Sequence, residues 1–105
     1  MIRYGDERWT ELRFAKFEYT AERRDTQWVD VELKVETSEQ TPLPTDVIDF
    51  SILAVCTHNG HPIQLVAMEE GCDSEYQLTD SEKEQIEAFV RSPDVQAAIR
   101  GAVLA

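Results

Sequence analysis

The sequence predicts an α+β domain: a four-stranded antiparallel sheet of two hairpins, followed by two C-terminal helices packed on one face. Three observations lead there. Residues 28–37, WVDVELKVET, alternate apolar and charged side chains with a period of two, the mark of a half-buried strand. Asn59-Gly60 stands between two apolar runs, the strongest short-range hairpin signal. Beyond residue 78 the apolar spacing becomes helical, and strands followed by helices indicate α+β.

The first strand comes from residues 8–22, and two states compete for it. Leu12 and Phe14 share one phase of an alternation, whereas Phe17, Tyr19 and Ala21 share the other. A bulge near Ala15-Lys16 restores a single apolar face, because one extra residue flips the alternation. A helix capped by Asp6 also fits the Ala, Leu, Glu, Lys and Arg content. The aromatic density and the polar run ERRDTQ that follows favour the hairpin. In the second strand Val29, Val31, Leu33 and Val35 point to the core, and Asp30, Glu32, Lys34 and Glu36 to solvent.

Pro42 and Pro44 mark residues 38–46 as a loop, since proline cannot donate to a ladder. Residues 47–57, VIDFSILAVCT, put Ile48, Phe50, Ile52, Ala54 and Cys56 on one face and Val47, Asp49, Ser51, Leu53 and Val55 on the other. Apolar residues on both faces suit a central strand. A type I′ turn at Asn59-Gly60 would return the chain into a fourth strand, residues 63–68. EEGCDSEY is then an acidic loop. Thr79 and Glu82 fit a capping box, opening a helix whose inner stripe is Ile86, Phe89 and Val90. Ser92-Pro93 opens a second helix with Val95, Ala98, Ile99, Ala102 and Val103 on one side.

The chain of 105 residues is sized for one domain. Its formal net charge is −11, and sixteen of the 21 acids but only four of the 10 bases follow residue 24. Such a surface repels nucleic acid and anionic lipid and attracts basic protein surfaces. No apolar window reaches the ~18 residues of a spanning helix, and residues 1–13 contain no apolar leader. The expected location is therefore the cytoplasm, where Cys56 and Cys72 would be free thiols.

Few constellations carry chemistry. Cys56, His58, His61 and Cys72 are of the residue types zinc prefers, but their spacing matches no common zinc pattern. A core cysteine beside two solvent-facing histidines explains them more simply. Glu32-x-Lys34 resembles the end of a metal-dependent nuclease motif, yet strand alternation accounts for both residues and the net charge opposes phosphate binding. A Cys–His nucleophile pair would have no glycine-rich turn or helix N-terminus beside it to hold an oxyanion. The expectation is a non-enzymatic chain with no cofactor.

The segment LTDSEKEQIEAFV, residues 78–90, follows a compact sheet and an acidic loop. In this layout, and in size and charge, the chain resembles small acidic accessory proteins of phages and prophages, mainly over residues 63–90. The resemblance implies a protein of the host cytoplasm that inhibits a nucleic-acid-binding host protein by occupying its basic groove. It transfers no functional residue, and the basic first quarter departs from a uniformly acidic nucleic-acid mimic.

The sequence thus points to a protein-binding module that uses an acidic surface, with Asp30, Glu32 and Glu36 on the strand and Glu69, Glu70, Asp73 and Glu75 in the loop as contacts. Its partner would be another protein with a basic surface, not nucleic acid and not a membrane. The alternative is an assembly subunit, a homo-oligomer joined through the aromatic hairpin or the C-terminal helix. Trp9, Phe14, Phe17, Tyr19 and Trp28 give that hairpin its aromatic weight, interleaved with Arg3, Arg8, Arg13, Arg23 and Arg24.

Overall fold

A computed structural model describes residues 1–3, 5 and 10–105; Asp6, Arg8 and Trp9, singled out above, lie outside the described residues. Nine elements follow in order: β1 (Ile2–Arg3), β2 (Phe14–Arg23), β3 (Trp28–Thr37), β4 (Phe50–Thr57), β5 (Pro62–Glu69), β6 (Cys72–Asp73), β7 (Tyr76–Gln77), α1 (Asp80–Val90) and α2 (Pro93–Leu104). The architecture is α+β. The main sheet is antiparallel with strand order β2-β3-β4-β5-β6, and β1 pairs with β7 in a separate two-stranded ribbon.

The expected two hairpins are present, but the sheet has five strands instead of four. The fifth arises because Glu70 and Gly71 both adopt left-handed backbone, φ 51° and 79°. Two successive positive-φ residues make the two-residue turn whose twist suits a hairpin, and the acidic loop folds back as β6. The expected type I′ turn at Asn59-Gly60 is not formed. Among residues 58–60 only Gly60 has positive φ, at 88°, and its N–H donates to the Thr57 carbonyl while the Thr57 N–H donates to that of His61. This is a three-residue loop, a type I turn closed by a left-handed glycine.

Residues 14–23 are strand, and the pairing shifts between Phe14 and Lys16, the bulge that the two-phase alternation requires. From there Phe17, Tyr19 and Ala21 turn to the same side as Val31, Leu33 and Val35. The Asp25 carboxylate closes the β2–β3 turn by accepting the N–H groups of Gln27 and Trp28, each at 2.8 Å. Those donors hold its pKa below the ordinary value.

The helices cover one face only. Val29, Val31, Leu33, Ile52, Ala54 and Cys56 form a continuous core with Ile86, Val90, Val95 and Ile99. The Phe89 ring stacks on Phe17, centroids 4.4 Å apart, and meets Tyr19 edge-on. The predicted capping box is in place: Thr79 Oγ1 accepts the Glu82 N–H, and the Glu82 carboxylate accepts the Thr79 N–H at 2.8 Å. Its other oxygen accepts the Leu12 N–H at 2.8 Å and the Met1 ammonium at 2.6 Å, all in a buried setting. Ser92 precedes α2 with Pro93 in its first turn, as predicted, but its side chain makes no capping hydrogen bond. Among the described residues no helix is long and apolar enough to cross a membrane.

Candidate functional site: the open face of the sheet

The face away from the helices is covered by no described element. Cross-strand register assigns its side chains. Lys16, Glu18, Thr20 and Glu22 of β2 lie opposite Glu36, Lys34, Glu32 and Asp30 of β3. Asp30 and Glu32 in turn lie opposite Val55 and Leu53 of β4, and Ser51, Leu53 and Val55 opposite Met68, Val66 and Gln64 of β5. One half of the face is therefore charged, and the other has an apolar floor.

The charged half is largely self-compensated. Lys16 opposes Glu36 and Glu18 opposes Lys34 across the strand pair, an arrangement of opposite charges that suits a sheet, while the ion pairs formed run along each strand, Lys16 with Glu18 and Lys34 with Glu32, each at 3.7 Å. Glu22 opposes Asp30, and that like-charge contact is relieved by Arg24. Arg24 Nε donates to Asp30 Oδ2 at 2.8 Å, and its Nη2 lies 2.7 Å from Oδ1. This two-point contact raises the Arg24 pKa above its ordinary value.

The seven predicted contact residues thus separate. Asp30 is held by Arg24. Glu32 and Glu36 are exposed on the open face, Glu32 with Lys34 Nζ at 3.7 Å. Glu69 works inside the molecule: its carboxylate accepts the Ile48 N–H and the Ser74 hydroxyl, bracing two loops. Glu70, Asp73 and Glu75 are exposed at the β5–β6 end.

Glu32 and Glu70 meet at one depression of about 320 Å³, whose wall also includes Lys34, Asp49 and Gly71 and whose floor is Ser51, Leu53 and Met68. Asp49 bends the chain into β4 with φ 47°, and its carbonyl accepts the Glu70 N–H at 3.1 Å. Lys34 Nζ lies 3.3 Å from Asp49 Oδ1. Asp49, Ser51, Leu53 and Met68 were missed as site residues. The phase of residues 47–57 already placed the first three on one face. What one sequence lacks is the register that sets them beside Glu32 and Glu70.

The four zinc-type residues are not brought together. Cys56 is buried on the covered face, where burial pushes its thiol up to about 11. Cys72 is exposed and pairs with Glu69, which pairs with Phe50 at the opposite end of β4. Six residues of strand, roughly 20 Å, separate the two ends. His58 Nε2 donates to the Asp25 carbonyl at 2.9 Å, and His61 Nδ1 accepts from Arg91 at 3.0 Å. Among the described residues no three His, Cys, Asp or Glu side chains are grouped to hold a metal ion.

Comparison with protein-family models, with curated proteins and with solved structures gave no match.

Proposed function

We propose that the chain is a non-enzymatic protein-binding module that engages a basic surface of another protein through the open face of its sheet. The observation that supports this is the face itself: a surface of five paired strands, covered by no described element, that carries exposed Glu18, Glu22, Glu32 and Glu36. Strands hold side chains at fixed spacing, so little ordering is needed on association. A net charge of −11 steers encounter with a basic partner and makes its rate salt-sensitive. The finer reading is inhibition: the face fills the basic groove of a nucleic-acid-binding protein in a host cytoplasm, as the resemblance to small phage and prophage proteins implies.

Self-association is the second reading, and the geometry favours it less. Phe17 and Tyr19 of the aromatic hairpin pack on Phe89 within the protomer. Val95 and Ile99 of α2 are buried in the core, leaving Leu104 as its one large exposed apolar side chain.

The test is affinity capture from bacterial lysate at low and high salt, with wild type and Glu32→Lys/Glu36→Lys in parallel. A nucleic-acid-binding protein retained at low salt, released at high salt and lost with the double variant would support the reading. Equal retention by both chains would remove the open face from it. A concentration-dependent dimer mass in light scattering, with nothing else retained, would replace it by self-association.

A further inference from the structure

The depression between the Glu70-Gly71 turn and β3 has features that the charge of the face does not explain. Ser51 on its floor is 4% exposed; its hydroxyl makes no hydrogen bond to a described residue and is not closed off from solvent, so the surface it keeps opens into the depression. Such a hydroxyl can bond a group that enters without breaking an internal hydrogen bond. Beside it Leu53 and Met68 supply an apolar floor, and Glu32, Asp49 and Glu70 stand around the wall. Lys34 answers two of these three carboxylates, with Nζ 3.3 Å from Asp49 and 3.7 Å from Glu32. The volume, about 320 Å³, is at the small end of ligand-sized pockets, which span roughly 300–1,000 Å³.

From this we infer that the depression receives a single arginine side chain of the protein partner. The inference rests on the protein-binding reading above and deepens it. An arginine stem is hydrocarbon and suits Leu53 and the adaptable Met68. Its guanidinium carries five N–H donors in a planar fork, enough to satisfy the Ser51 hydroxyl and two carboxylates together. A lysine ammonium is a compact point charge without that fork, and Lys34 already supplies one. In the free protein Lys34 is the resident cation, and the incoming guanidinium displaces it from Asp49.

The test is an NMR titration of the full chain with the blocked peptide acetyl-Gly-Ser-Arg-Ser-Gly-amide. Peptides with lysine or citrulline at the centre run in parallel. The arginine peptide should move the amide signals of Glu32, Ser51, Leu53 and Gly71, and the citrulline peptide should not. Ser51→Ala should weaken binding about tenfold, the size of one charge-assisted hydrogen bond. Lys34→Ala should tighten it about two- to fivefold by removing the competitor, whereas Lys16→Ala, an equal change in net charge, should leave it within about twofold. Amide spectra of the variants confirm that each is folded. Equal effects of the two lysine variants, equal binding of the lysine peptide, or shifts spread over the acids of α1 would each overturn the arginine assignment. The two levels of the argument separate cleanly. If the peptide fails while Glu32→Lys/Glu36→Lys still abolishes partner capture, the pocket falls and the open face stands. If the peptide binds as described while capture is unaffected, the face reading fails instead.

Discussion

Ile52 and Leu53 are neighbours on β4 and belong to opposite sides of the sheet. Ile52 is fully buried under the helices, whereas Leu53 is half-buried on the floor of an open depression. The contrast is clearest on β3, whose covered side is apolar and whose open side is charged, and it weakens on β4, where Ser51 and Val55 are buried on the open side as well. Packing therefore governs one side and electrostatics the other. The covered side contributes stability and fixes register, which places fewer packing demands on the open side, the side proposed above to meet a partner.

Glu82 is the sharpest exception to that division, a fully buried carboxylate on the helix side. It takes hydrogen bonds from Thr79, Leu12 and the Met1 ammonium, tying α1 to the segment that enters β2. Removing one partner of a buried ion pair leaves the other charge uncompensated, so Glu82→Gln should cost about 3–5 kcal/mol. Urea unfolding would measure this. A loss under about 1 kcal/mol would mean that water reaches the pair and that the covered side is less closed than the packing indicates.

The next test is the pair on β4. Ile52→Ala opens a cavity in the core and should cost about 2–5 kcal/mol. Leu53→Ala only widens a surface depression and should cost about 1 kcal/mol. Equal losses would show that the open face is closed by something in solution, such as a second copy.

Much of the covered side could be read from the sequence because its signals are local. The alternation of residues 28–37, the flipped phase at Ala15-Lys16 and the Thr79-Glu82 capping box each lie within one element, and each is found in place. The two-residue strands β1, β6 and β7 are too short to show any period. The turn types were exchanged for a reason that is not local. Gln96 of α2 donates to the carbonyls of Gly60 and Val90, holding the β4–β5 turn against the helix junction. Asn59 is thus kept out of the left-handed region that its own propensity allows. The depression was illegible in the same way, since Ser51, Glu32 and Glu70 converge only through the register of three strands.

The two turns offer a third contrast. Gly60 and Gly71 both have positive φ, but a Cβ at Gly60 would run into the Gln96 side-chain amide, while one at Gly71 would meet nothing within 4 Å. Gly71→Ala should cost about 1 kcal/mol from backbone strain alone. Gly60→Ala must also move Gln96 off two carbonyls, and the sum should reach about 2–4 kcal/mol. Thermal unfolding of the two variants compares them directly. Equal shifts would place Gln96 outside the forces that fix the turn.

The two thiols share the covered side by register and differ in burial. Cys56 on the covered side is raised from 9.0 to about 11 by burial, with Asp30 adding to the effect. A group raised in the folded state contributes stability that is complete below its unfolded pKa. That contribution is lost as pH climbs through the folded value, here between about 9 and 11. Urea midpoints should fall across that window, and Cys56→Ala should flatten the fall. At neutral pH an alkylating reagent should label exposed Cys72 and spare Cys56; modification of both at one rate would show that the covered face opens readily.

The smallest expected effect lies wholly on the open face and bears on what its charges are for. Lys16 and Glu36 face each other across β2 and β3. Such exposed pairs are worth about 0.2–1 kcal/mol, less in high salt. Lys16→Glu should therefore destabilise slightly, and the exchange Lys16→Glu/Glu36→Lys should recover most of the loss. The coupling energy from the double-mutant cycle should fall as salt is added. If the coupling is present, Glu36 is held by its own sheet, and a partner must compete with Lys16 to use it. Recognition then concentrates where the carboxylates outnumber their cation, around Lys34 and the floor of Ser51, Leu53 and Met68. If the coupling is absent, Glu36 is not held by its own sheet, and Lys16 stays with Glu18, 3.7 Å away. The whole charged half then presents itself to a basic surface, and a Lys34-centred pocket becomes one contact among many.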